Sequence, residues 1–94
     1  MPATRESAEI LAIGALGWLA AEEDLLPVFL GNTGADVADL KAQAADPEFL
    51  GAVLDFLLMD DAWVIRFCDA AGHDYAAVMA ARAALPGGAQ VHWT

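Results

Sequence analysis

Cys68, His73 and Asp74 lie close enough in the sequence to suggest nucleophilic chemistry. A thiol becomes a useful nucleophile when an imidazole takes its proton, a third group orients that ring, and donors await the developing oxyanion. Here His73 follows Gly72, a residue suited to stopping a helix, and no third group is placed to orient its ring. The spacing predicts a solvent-facing loop histidine next to a helix-capping Asp74, with Cys68 acting as a small buried hydrophobe. Acidic clusters at Glu22-Glu23-Asp24 and Asp60-Asp61 could attract a hard cation, but neither has the alternating oxygen ligands and glycine of a calcium loop. Negative charge at helix starts accounts for both. The chain has no Glu-x-x-His, no Cys-x-x-Cys, no zinc spacing, no glycine-rich phosphate loop and no Gly-x-Ser-x-Gly. The sequence predicts no catalytic residue, no metal, no cofactor and no enzymatic activity.

Three other residues invite an interaction role. Asp55 lies in an otherwise apolar stretch, where a carboxylate must reach water or find a cation, and Arg66 and Arg82 are the candidates to pair with it. Trp63, near an acidic helix start, and Trp93, near the end of the sequence, could anchor a partner as exposed tryptophans do. Trp18 is better placed for core packing.

The elements that must position these residues read as helices throughout. After a polar leader at 1–6, Ser7 is expected to cap a first helix running to about residue 21. Gly14 and Gly17 share one side of it, a pattern expected to leave a shallow groove for close packing. Glu22-Glu23-Asp24 is expected to open a second helix, which tolerates Pro27 in its first turn and ends at Gly34. Asp36 is expected to cap a third helix to about residue 45, with Asp39 in the capping-box position. Asp46-Pro47-Glu48 launches the central helix, where Glu48, Gly51, Ala52 and Asp55 form a narrow polar or small strip. Phe49, Leu50, Val53, Leu54, Phe56, Leu57 and Met59 cover the rest of its circumference. Asp60-Asp61 ends this helix and begins a fifth, which stops at Gly72. Asp74 is expected to cap a sixth, closed by Pro86-Gly87-Gly88, and 89–94 reads as a tail. No stretch alternates at period two, so no strand is expected.

Sliding the chain by 38 residues sets Glu22-Glu23 on Asp60-Asp61, Phe29 on Phe67, Gly34 on Gly72 and Asp36 on Asp74. The expected fold is all-α: one domain of about six helices in a compact orthogonal bundle, with the offset of about 38 pointing to two pseudo-repeated three-helix units. The first and central helices would then form a paired spine, the glycines of one facing the bulk of the other.

Composition narrows the function. Of 94 residues, 14 are acidic and 4 basic, for a net charge of −10, whereas phosphate backbones are bound by clustered Lys and Arg. Nucleic acid and anionic membrane surfaces are therefore not expected partners. The apolar run 10–21 is too short to span a bilayer and lacks a positive flank. A single cysteine allows no internal disulfide and suits a reducing cytoplasm. Hydrophobic residues make up 59% of the chain and mean hydropathy is +0.46, more than a core of this size hides easily, so an exposed apolar patch is expected.

The run Asp46-Pro47-x-Phe49-Leu50-x-x-Val53-Leu54-Asp55-Phe56-Leu57 resembles a family of small bacterial proteins defined as a domain of unknown function. So do Phe29-Leu30 with Thr33-Gly34, Asp39-Leu40, Phe67-Cys68 and Ala81-Arg82-Ala83-x-Leu85-Pro86-Gly87-Gly88. The resemblance spans nearly everything from the first helix to Gly88, implies a helical cytoplasmic protein, and carries over no catalytic residue. Glu23-Asp24 departs from the Asp-Pro of the family, and Val37 and Tyr75 replace prolines; all three lie at helix starts. The function expected from the sequence is a non-enzymatic cytoplasmic protein-interaction module, as a homo-oligomer or with a protein partner. The alternative is a small-molecule binder with an apolar pocket between the two helical units.

Overall fold

The computed structural model describes residues 4–86; Trp93 and the rest of the expected tail lie outside the described residues. Six helices follow in order: α1 (Arg5–Ala21), α2 (Leu26–Thr33), α3 (Val37–Gln43), α4 (Pro47–Leu58), α5 (Asp61–Ala71) and α6 (Tyr75–Ala84). The class is all-α, with no strand among the described residues.

Local chemistry sets most of the helix ends. Asp46 accepts a hydrogen bond from the Glu48 amide at 3.0 Å and Asp60 one from Ala62 at 2.9 Å, so each carboxylate satisfies a first-turn donor. Gly34 (φ 76) and Gly72 (φ 79) close α2 and α5 in the left-handed conformation that side chains disfavour.

Three expectations about helix starts need correcting. Helix α1 starts within the expected leader, because Thr4 is its cap and Ser7 the reciprocal partner: the Ser7 amide donates to Thr4 Oγ1 and the Thr4 amide to Ser7 Oγ, both at 3.0 Å. Asp36 and Asp74 occupy cap positions, but their carboxylates accept no capping bond, and the box expected at Asp39 does not form. Glu22 and Asp24 do not serve the start of α2, which begins at Leu26 after a turn; both carboxylates instead accept from Arg66.

The core explains the spine. Ala8, Ala12, Ala15 and Leu19 recur at three- and four-residue spacing on α1 and are fully buried. The three small alanine side chains let neighbouring helices approach closely, and α1 packs most broadly against α4 and α6. The sequence places Gly14 and Gly17 against the bulk of α4, whereas the structure turns both to solvent, and a Cβ on either would meet nothing within 4 Å. Helix α4 buries Leu50, Val53, Leu54, Phe56 and Leu57, while Met59, just past its end, is 64% exposed. Phe29 fixes α2 to α4 through edge-on contacts with Phe49 and Phe56, at centroid distances of 5.9 and 5.3 Å. Phe56 in turn stacks on Trp63 of α5 at 4.7 Å.

An offset of 38 residues relates the starts of α3 and α6, at Val37 and Tyr75, and the cap glycines Gly34 and Gly72. Buried Phe29 and Phe67, Leu19 and Leu57, and Leu40 and Val78 stand at the same offset.

Candidate functional site

The chemistry-bearing residues are mostly committed to holding the fold. Cys68 is buried, and burial pushes its thiol up from the ordinary value, with the carboxylates of Asp69 and Asp74 pushing further. A nucleophilic cysteine needs the opposite environment. His73 lies in the turn after α5, its amide bonded to the Cys68 carbonyl at 3.1 Å and its ring 5.7 Å from that of Phe67. The thiolate forms only above its raised pKa, so at pH 7 folded Cys68 should react with iodoacetamide at least about tenfold more slowly than the denatured chain. The folded rate should climb only as the pH passes the ordinary thiol range. Equal rates in the two states would contradict this placement.

The acidic clusters are likewise occupied. Arg66 donates to Glu22 and, at 3.1 and 3.2 Å, to Asp24, while its guanidinium carbon lies 5.7 Å from the centre of the Trp18 ring. The hydrogen bond from Arg66 holds the Asp24 carboxyl below its usual range. Asp60 caps α5, and Asp61 accepts from the Tyr75 hydroxyl at 2.7 Å. Among the described residues no group of three or more His, Cys, Asp or Glu is placed to hold a metal ion, and no helix is long and apolar enough to cross a membrane.

Asp55 both reaches water and finds a cation. Its side chain is 56% exposed, and Arg82 of α6 grips it through Nε at 2.6 Å and Nη2 at 3.0 Å. The remaining guanidinium nitrogen, Nη1, donates to the Pro86 carbonyl at 3.0 Å. This clasp lies against Gly51, where a Cβ would come within 2.9 Å of Arg82 Nη1 and 3.3 Å of the Pro86 oxygen. Asp55 thus joins α4 to the end of α6. Sequence reasoning assigned Gly51 no partner, although its position four residues before Asp55 puts both on one face. Of the candidate anchors, Trp63 is half-buried with its ring on Phe56, and Trp93 is outside the described residues.

One concave surface stands apart from these commitments. Between α1, the end of α5 and α6, a groove of about 310 Å³ is lined by Ile10, Leu11 and Gly14 on one side and Ala77, Ala80 and Ala81 on the other. Phe67, Ala71, His73 and Ser7 complete it. Ile10 is 67% exposed on its rim. The other exposed large apolar residues outside α1, such as Val28, Ile65 and Met79, are spread singly over different helices, which is ordinary for a small protein. The groove keeps its depth at this point because Gly14 has no side chain, and Gly14 sits mid-helix at a cost of about 1 kcal/mol relative to alanine. Packing does not require that glycine, since a Cβ there meets nothing within 4 Å. Gly17 is equally unconstrained and does not line the groove; nothing in the structure explains it.

No curated protein and no solved structure matches the chain. Residues 5–88 match the family model described as protein of unknown function (DUF3572), and this match takes in α1 to α6, the clasp and the groove together. The chain belongs to the DUF3572 family.

Proposed function

We propose that the protein is a non-enzymatic interaction module that receives a protein partner in the groove between α1 and α6. The observation that carries this reading is Gly14: a helix-weakening residue with no packing need of its own keeps an apolar concavity open beside the exposed Ile10. A single reduced, buried cysteine suits the cytoplasm as the compartment. Self-association is the weaker form of the proposal, because two copies each carrying −10 repel as they approach.

The test uses two variants that separate the groove from the stability of α1. Gly14→Leu and Gly17→Ala should each stabilise the fold by about 0.5–1 kcal/mol, because each replaces an unencumbered helical glycine with a better helix former. In crosslinking capture from the native cell, wild type and Gly17→Ala should retain the same partner and Gly14→Leu should lose it. Capture by Gly14→Leu equal to wild type, or no partner for wild type, would overturn the proposal.

A second reading, an apolar small-molecule site, is favoured by the groove volume of about 310 Å³, at the low end of ligand pockets. Against it, polar handles are few: the Ser7 hydroxyl is already spent on the α1 cap, leaving His73. A neutral dye such as Nile red should bind wild type and not Gly14→Leu if this reading is correct.

A further inference from the structure

We infer that the occupant of the groove is an amphipathic helix of a partner protein, presenting an apolar face with Lys or Arg beside it. This inference rests on the groove being a docking site, and three observations lead to it.

The first concerns the main chain of the occupant. The groove walls are mainly helix bodies, whose mid-helix amides and carbonyls bond within themselves, so there is no open strand edge to which an extended segment could add. Ser7 Oγ accepts from the Thr4 amide and donates to the Thr4 carbonyl, both at 3.0 Å. Along the α1 and α6 walls an incoming backbone finds no ladder of partners and must satisfy itself, which a helix does.

The second concerns shape. Gly14, Ala77 and Ala80 leave room that a large apolar side chain projecting from a helix can fill, with Ile10 standing beside it.

The third concerns charge. Arg5, Arg66 and Arg82 are held in ion pairs with Glu9, with Glu22 and Asp24, and with Asp55, and Lys41 lies on α3, which does not line the groove. Glu6 precedes the lining residue Ser7, and Asp74 follows the lining residue His73. Both are exposed, neither enters an ion pair among the described residues, and Asp74 makes no capping bond. On a body of net charge −10, with carboxylates next to groove residues, a cationic partner is attracted. A second copy of this chain is repelled.

The probe is a synthetic amphipathic peptide of leucine and lysine, about 18 residues or five helical turns, titrated into the full chain by calorimetry. Two companions share its length: one with glutamate in place of lysine, and one with a central proline that breaks the helix. The leucine–lysine peptide should bind one-to-one, weaken with added salt, and lose about tenfold or more in affinity on Gly14→Leu while Gly17→Ala leaves it within about twofold. The glutamate and proline peptides should bind at least about tenfold more weakly. Equal binding to Gly14→Leu, equal binding of the proline peptide, or no binding at all would overturn the inference. If native capture still depends on Gly14 while this peptide binds indifferently, only the helical, cationic occupant fails. If capture is also indifferent to Gly14, the docking site itself fails.

Discussion

Replacing Phe56 with alanine should lower the free energy of unfolding by about 3–5 kcal/mol, a large part of the roughly 5–15 kcal/mol that holds a domain together. Phe56 is fully buried and joins three helices: it lies on α4, meets Phe29 of α2 edge-on at 5.3 Å, and stacks on Trp63 of α5 at 4.7 Å. Removing the ring leaves a cavity lined by two aromatics, each already held by its own helix, so the site has little freedom to collapse. Urea denaturation of wild type and Phe56→Ala should show the midpoint falling with the slope unchanged. A loss below about 1 kcal/mol would mean that Phe56 is not where α2, α4 and α5 are joined.

Gly51→Ala should destabilise the protein by about 1–2 kcal/mol, although the same exchange at an open helical glycine gains about 1 kcal/mol. The difference comes from the clasp. A Cβ at Gly51 would stand 2.9 Å from Arg82 Nη1, and that guanidinium cannot swing aside without releasing Asp55, the Pro86 carbonyl or both. A double-mutant cycle makes the cause visible. With Arg82→Ala in place the nearest obstacle is gone, and Gly51→Ala should cost markedly less or turn stabilising, so the two changes are strongly non-additive. Additive effects would show that Arg82 is not what excludes a side chain at Gly51.

Helix ends were legible in the sequence wherever one residue settles one end by itself. Asp46 and Asp60 cap the helices they precede, and Gly34 and Gly72 take the left-handed turn that stops α2 and α5. The start of α1 was misplaced because Thr4 and Ser7 are both good capping residues and only their reciprocal bonding decides which is outside the helix. At Asp36 and Asp74 the residue type gave the position of the helix start, yet the carboxylates make no capping bond. The Glu22 and Asp24 carboxylates were misread because their partner, Arg66, is more than forty residues away and no local pattern announces it.

The same distinction separates the two structural sites. The Asp55 clasp was half legible: a carboxylate in an apolar helix must reach water or find a cation, and the sequence named Arg66 and Arg82 as the cations in reach, but which one pairs with it depends on α6 crossing α4. The groove was harder to see. Its floor combines Gly14 of α1 with Ala77 and Ala80 of α6, and the small-residue pattern on α1 suggested close packing within the chain rather than a face left open.

The most direct test of the proposal that the groove receives a partner is methyl NMR of the full chain titrated with the leucine–lysine peptide. Shifts should concentrate at Ile10, Ala77 and Ala80, which line the groove, and leave the exposed methyls of Val28 and Ile65 unmoved. Shifts centred on Val28 or Ile65, or spread evenly over the acidic surface, would contradict it.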